Sequence, residues 1–169
     1  MAELTPKERL QPSLLDRLSD DEPNNSKESR NRRVLSPQRL RESVRRDLSW
    51  LLNNTRLAAV EDLSAYPEVE RSTLNYGVPD LAGKTMSTVN VPEIEKAIRA
   101  VILEFEPRLL RQTVQIKVVV DKEQMTHNAL SFIIEAELWA QPLPLRVFLK
   151  TDVDLETGSV TVSEATRTD

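Results

Sequence analysis

The spacing of apolar positions changes near residue 110, dividing the chain into a helical first part and a stranded second part. Leu40, Val44, Leu48 and Leu51 recur at the spacing of one helix face. Ser36 can cap such a helix, and Pro37 fits its first position because no backbone donor is needed there. A helix is therefore predicted from Ser36 to about Leu52, with a break at Asn53-Asn54. Residues 57 to 65 read as a short helix or turn carrying Leu57, Val60 and Leu63, and Pro67 disfavours helix at Tyr66. From Ser72 to Thr88, Gly77, Pro79 and Gly83 punctuate a loop that Leu74, Tyr76, Val78 and Leu81 can anchor, so order is expected of it. A second helix is predicted from Asn90, with Glu93 completing a variant capping box and Pro92 in the first turn. Ile94, Ile98, Val101 and Phe105 mark its buried face, and Pro107 ends it.

Beyond Leu110 the period becomes two. Val114, Ile116, Val118 and Val120 alternate with polar or outward positions, as do Leu130, Phe132, Ile134, Ala136 and Leu138. After Pro142 and Pro144, Leu145, Val147 and Leu149 share one face of a strand while Arg146, Phe148 and Lys150 share the other. A last short strand near Ser159 to Val162 pairs back across the turn at Asp154 to Gly158. The expected class is α+β, with N-terminal helices packed on a three- or four-stranded, mostly antiparallel sheet.

Outside this domain, assigned to residues 36–162, lie a polar C-terminal tail at 163–169 and a tail at 1–35 expected to be flexible. Pro6, Pro12 and Pro23 interrupt the latter, and Asp20 to Ser26 offer too little apolar side chain to offset the entropy of ordering. One island differs. Leu14, Leu15 and Leu18 fall on one side of a helical turn that Ser13 can cap. Two readings of it stand: a local fold-back onto the domain, or a docking peptide for a partner.

Composition narrows the chemistry. The 169 residues are 39% apolar and 30% charged, which suits one compact domain. No apolar run approaches the roughly 18 residues of a membrane span, and no apolar signal segment follows Met1-Ala2-Glu3-Leu4, so a cytoplasmic location without membrane insertion is expected. The absence of cysteine excludes disulfides and thiolate chemistry, and His127, the single histidine, cannot build an HExxH site. Neither a metal nor a cofactor is expected. Gly83-Lys84-Thr85 lacks the earlier glycine of a phosphate-binding loop. A muramidase-like glycoside hydrolase would need Glu104 or Glu106 opposite another carboxylate such as Asp121, about 5 to 9.5 Å away across a sugar cleft. Glu106-Pro107-Arg108 reads as simply as a carboxylate held by an arginine.

The net charge of -4 conceals a basic section from Lys27 to Arg46, where Lys27, Arg30, Arg32, Arg33, Arg39, Arg41, Arg45 and Arg46 face only Glu28 and Glu42. Such a field attracts phosphate or an acidic protein face. Without interleaved aromatics to stack on bases, the protein partner is the better reading and a nucleic-acid-binding module the weaker one.

Four segments in order carry a resemblance: Pro12-Ser13-Leu14-Leu15-Asp16-Arg17-Leu18, Arg46-Asp47-Leu48-Ser49-Trp50-Leu51-Leu52-Asn53, Ser72-Thr73-Leu74-Asn75-Tyr76-Gly77-Val78-Pro79-Asp80 and Phe105-Glu106-Pro107-Arg108-Leu109. Together they are similar to the TssE family of type VI secretion baseplate subunits, related to the small wedge protein of contractile phages, over nearly all of residues 12 to 155. The resemblance implies a non-enzymatic subunit that joins a wedge with TssF and TssG, lies near TssK, and helps start the sheath of TssB and TssC. It places the baseplate in the cytoplasm, docked to the inner-membrane secretion complex. It also makes Glu106-Pro107-Arg108 the family's functional triplet, acting in assembly although the phage relatives have carried a lysozyme-like label.

Partner-binding residues expected on these grounds are Glu106, Pro107 and Arg108, the loop Leu74, Asn75, Tyr76 and Gly77, the island Leu14, Leu15 and Leu18, and Arg146 with Lys150. Alanine at Glu106 or Arg108 is expected to impair wedge assembly more than isolated folding. The sheet is expected to present an edge or adjacent surface to sheath strands, and the strand from Leu145 to Thr151 is one candidate edge, with Pro142 and Pro144 limiting pairing at its start and Arg146 and Lys150 discouraging promiscuous association.

Overall fold

The computed structural model describes residues 13–19, 36–83, 90–119, 129–140 and 143–165. Helices α1 (Leu14–Leu18), α2 (Pro37–Leu52), α3 (Pro67–Glu70) and α4 (Val91–Phe105) precede strands β1 (Gln115–Val119), β2 (Ala129–Leu138), β3 (Leu145–Asp154) and β4 (Val160–Glu164). Short 3-10 turns at Leu57–Ala59 and Thr73–Asn75 flank α3. The α+β class read from the sequence is the one observed, with four strands. β4 runs to Glu164, into the stretch read as the C-terminal tail.

α2 starts as its sequence dictates, with the Ser36 hydroxyl accepting the Arg39 N–H at 3.2 Å. α4 starts differently from expectation. Asn90 makes no side-chain cap; its carbonyl instead accepts the N–H groups of Glu93 and Ile94, each at 3.1 Å. The predicted capping box is thus replaced by a backbone entry with proline in the first turn. At the other end Glu106 N–H still bonds the Ile102 carbonyl, after which Pro107 can supply no donor.

The strands lie in the order β1-β2-β3-β4, every neighbour antiparallel. Leu40, Val44, Leu48 and Leu51 of α2 and Ile94, Ile98 and Ile102 of α4 pack with Phe132, Ile134, Leu149 and Val153 in one buried core. Burying each such side chain contributes about 1.5–3 kcal/mol, so the two helix stripes and the inward strand positions specify one another.

The expected sheet edge is overturned. β3 pairs with β2 over its whole length, from Leu145↔Leu138 to Asp154↔Ala129, and with β4 from Leu149 to Val153. Leu145 to Thr151 therefore belongs to a central strand. Pro144 precedes the first ladder pair, so its missing N–H removes nothing from the sheet, and Pro142 lies outside the described residues. Arg146 and Lys150 do not guard an edge either: they alternate with the core positions of β3 and pair with Glu137 at 3.6 Å and Asp152 at 3.2 Å.

The outer strands are β1 and β4, and helix side chains meet their backbones. The Asn53 amide, just past α2, accepts the Val160 N–H at 2.9 Å and donates to the Val160 carbonyl at 2.8 Å, as a neighbouring strand would. Arg45 donates to the Val162 carbonyl at 3.4 Å. Across the sheet, Glu95 of α4 accepts the Val118 N–H at 2.8 Å and Arg99 donates to the Val114 carbonyl at 3.0 Å. Occupying outward donors and acceptors in this way blunts an edge against pairing.

Candidate functional site

The helical repeat places Ser43, Arg46, Asp47 and Trp50 along one side of α2, at steps of three and four residues. The turn after α4 brings Glu106, Pro107 and Arg108 beside them. Arg108 is the hub. Its guanidinium grips Glu106 in bidentate fashion, Nε to Oε1 at 2.7 Å and Nη2 to Oε2 at 2.5 Å. Nη2 also donates to Asp47 Oδ2 at 2.6 Å, and Nη1 donates to Ser43 Oγ at 2.9 Å. The Arg108 N–H adds a bond to Glu106 Oε1 at 3.2 Å, which locks the turn itself. Planar forked donors matched to a carboxylate make this the strong form of charge-assisted bonding.

From Arg108 the bonds close into a ring that takes in α1. Asp47 Oδ1 accepts from Arg46 Nε at 3.0 Å, and Arg46 Nη1 donates to Asp16 Oδ1 at 2.6 Å. Asp16 Oδ2 accepts from Ser43 Oγ at 2.9 Å, and Ser43 leads back to Arg108. Ser13 donates a further bond to Asp16 Oδ2 at 2.7 Å. Arg46 also lies over the Trp50 ring, 5.1 Å from its centre, in cation–π range. Ser43 and Glu106 are buried, and the remaining members are partly covered.

These contacts set the charges. Burial disfavors ionised Asp16, but bonds from Arg46, Ser13 and Ser43 outweigh it and bring its carboxyl down to about 2. Burial likewise works against charge on Arg108, yet Glu106 and Asp47 more than compensate and hold its proton more tightly than usual. The Tyr76 hydroxyl is pushed up by burial and by the nearby Asp47 and Glu106 charges, so it stays protonated.

The loop before α4 completes the site. Asn75 is buried, accepting the Ala58 N–H at 2.9 Å and donating to the Glu70 carbonyl at 2.8 Å. Gly77 has φ +131°, and a Cβ there would lie 2.3 Å from the Asn54 carbonyl oxygen. Both residues thus serve backbone geometry. That geometry presents Tyr76 edge-on to Phe105, ring centres 5.2 Å apart, with its hydroxyl 3.5 Å from the Asp47 carbonyl. Leu74 points away and is exposed.

The sequence-predicted residues therefore divide. Glu106, Arg108, Asn75, Tyr76 and Gly77 join one internal construction, whereas Arg146 and Lys150 belong to the sheet and not to the site. Glu106 and Arg108 bond to each other inside the fold, so alanine at either position is expected to weaken the chain itself as well as any assembly through this turn. The island around Leu15 does fold back, but through its polar side. Asp16 makes the tie while Leu14, Leu15 and Leu18 remain 69%, 43% and 75% exposed. Leu15, Trp50, Tyr76, Phe105 and Pro107 line an open pocket of about 440 Å³ beside the Glu106–Arg108 pair.

Asp16, Ser43, Arg46 and Asp47 were not singled out as site residues. Their signal was the four-residue step from Ser43 to Asp47 and from Arg46 to Trp50 on α2, and only the tertiary placement of α1 and Arg108 gives that step its meaning.

The geometry also weighs the alternative chemistries. A glycosidase acid must turn a protonated oxygen toward a sugar, but both Glu106 oxygens are taken by Arg108. Of the basic section, Lys27 to Arg33 fall outside the described residues, and Arg45 and Arg46 spend donors within the fold. Asp121, His127 and Lys84-Thr85 also fall outside them. Among the described residues no group of three His, Cys, Asp or Glu could hold a metal ion, and no helix is long and apolar enough to cross a membrane.

The family model described as baseplate wedge protein gp25 matches residues 38–143, more than half of the chain. No curated protein and no solved structure matches. The matched span holds Ser43, Arg46 and Asp47 of α2, the Tyr76 loop, α4 and the Glu106-Pro107-Arg108 turn, and it leaves out α1, β3 and β4. On this match the chain belongs to the baseplate wedge protein gp25 family.

Proposed function

We propose that this baseplate wedge component serves a type VI secretion system, joining a wedge with TssF and TssG near TssK and helping to start the TssB–TssC sheath. It would do so in the cytoplasm, at a baseplate docked to the inner-membrane complex. The observation that carries the reading is the agreement between the family match and the site: the matched span contains the whole Glu106-Pro107-Arg108 turn and the α2 residues that fix it. The ring holds the turn rigid, and the groups left outward are apolar. Pro107 and Trp50 are exposed beside Leu15, and the Trp139 N–H bonds the Arg108 carbonyl at 2.8 Å, bringing another exposed indole to the same turn. Exposed aromatic and aliphatic groups gathered around a fixed turn suit a protein interface.

In this reading Glu106 and Arg108 position the surface, while Pro107, Trp50, Leu15 and the neighbouring Leu14 and Leu18 touch the wedge partners. Leu74 offers a separate contact from the loop.

Co-purification from cells making the tagged chain tests the proposal. TssF and TssG should be recovered with the wild type and reduced with Trp50→Ala or Leu15→Asp, both at exposed positions outside the buried core, with an unchanged far-UV circular dichroism spectrum as the control for folding. Failure to recover either partner under conditions that preserve a baseplate would remove the wedge assignment. Peptidoglycan turnover abolished by Glu106→Gln in a folded chain would replace it with a hydrolase, and salt-sensitive capture of nucleic acid would favour the remaining alternative.

A further inference from the structure

We propose that Ser43 and Arg46 form a binding site for the carboxylate of a serine-capped helical turn, and that the chain's own α1 occupies this site through Asp16. The inference is independent of the wedge role. Both Asp16 oxygens are engaged from α2, Oδ1 by Arg46 at 2.6 Å and Oδ2 by Ser43 at 2.9 Å. Arg108 is a positioning residue: by donating to Ser43 Oγ at 2.9 Å it leaves the Ser43 proton to point at Asp16. On the ligand side, Ser13 caps the turn by accepting the Asp16 N–H at 3.3 Å and donates to Asp16 Oδ2 at 2.7 Å, so the carboxylate arrives already oriented. The recognised unit is therefore Ser-x-x-Asp on one turn of helix.

The attachment of α1 has the character of a bound peptide and not of a core element. Leu14 and Leu18 stay outward, and Leu15, 43% exposed, reaches only the lining of the open pocket beside Trp50 and Pro107. Its helix-closing backbone bond, Ser19 N–H to the Leu15 carbonyl, is internal, and the described hydrogen bonds joining it to α2 run through the Asp16 side chain. A site held by one carboxylate is exchangeable, since losing α1 breaks no ladder and exposes a guanidinium and a hydroxyl already aimed at an acid. An acidic turn of the same chemistry would then compete with α1, and its entry would move the leucines away from the Pro107 surface.

The test uses the full-length Asp16→Ala chain and a synthetic peptide of residues 12–19, followed by NMR of the arginine side chains. The Arg46 Nε–H signal should shift as peptide is added to this variant. In the wild type, where α1 holds the site, apparent binding should be weaker by about tenfold or more. A peptide carrying asparagine in place of the aspartate should give no shift, and adding Arg46→Gln to the variant chain should remove peptide binding. Asp16→Asn, which preserves the side-chain shape, serves as the receptor if the alanine variant loses its dispersed spectrum. Equal responses of wild type and variant would show that the peptide binds elsewhere, and no response at millimolar peptide would show that no such site exists. Either result overturns the proposal.

Discussion

Arg108→Ala removes the residue on which the site converges, and its cost can be worked from the contacts. Glu106 is only 4% exposed and faces the bidentate guanidinium, while Asp47 and Ser43 accept from the same side chain. Truncation leaves a desolvated carboxylate without its counter-ion, which in buried pairs costs about 3–5 kcal/mol. Arg108 and Asp47 are each 25% exposed, so water recovers part of the loss and about 2–4 kcal/mol is expected. That is a large share of a domain's stability of about 5–15 kcal/mol. Arg146→Ala is the control, because the 3.6 Å pair with Glu137 involves an arginine 66% exposed and should contribute less than about 1 kcal/mol. Urea unfolding followed by far-UV circular dichroism measures both. Combining Arg108→Ala with Glu106→Gln should cost less than the sum of the single changes by at least about 1.5 kcal/mol, since the double variant no longer buries an unpaired charge. An Arg108→Ala loss indistinguishable from that of Arg146→Ala, or strict additivity in the cycle, would refute the argument that this pair holds the turn.

Acid should release α1 before it unfolds the domain. The Asp16 carboxyl lies below its ordinary 3.8, at about 2, so its stabilisation is complete above the higher value and lost as pH falls through the lower; about 1–2 kcal/mol is involved. The amide signals of residues 14–18 should move in this window in the wild type and show no such transition in Asp16→Asn. Gly77→Ala should cost about 2–3 kcal/mol in thermal or urea unfolding, because its φ of +131° is strained for alanine and the new Cβ meets the Asn54 backbone. Gly83→Ala, with φ +73° but open space around it, should cost about 1 kcal/mol. Replacing Asn53 and Arg45 together by alanine strips the β4 edge of its side-chain partners and should produce concentration-dependent association in sedimentation velocity; a folded variant that stays monomeric would show that these bonds do not guard the edge.

In the proposed reading, the surface around the Glu106-Pro107-Arg108 turn has two layers. Charged residues beneath determine where the backbone turns, and apolar residues above are left to meet a partner. Substitutions in the two layers should therefore separate: Trp50→Ala should spare stability and reduce partner recovery, whereas Arg108→Ala should reduce both.

Periodicity determined the α2 stripe and the alternation of the first three strands, because burial on one face imposes a period that a single sequence records, while the missing donor of Pro107 marked the end of α4 and the strand count stayed at three or four. Composition marked Gly77 as loop punctuation, whereas the buried, backbone-bonding role of Asn75 came only from the structure. Strand order was beyond the sequence: Pro142 and Pro144 look the same before a central strand as before an edge, and only the pairing of β3 with both β2 and β4 decided between them. Long-range ion pairing was beyond it as well. Arg45 and Arg46 are neighbours in a basic run, yet one reaches the β4 backbone and the other closes a ring with Asp16 and Asp47. The sequence supplied every charge in that ring, but Coulomb attraction depends on distance in space, and only the packing of α1, α2 and the turn after α4 set those distances.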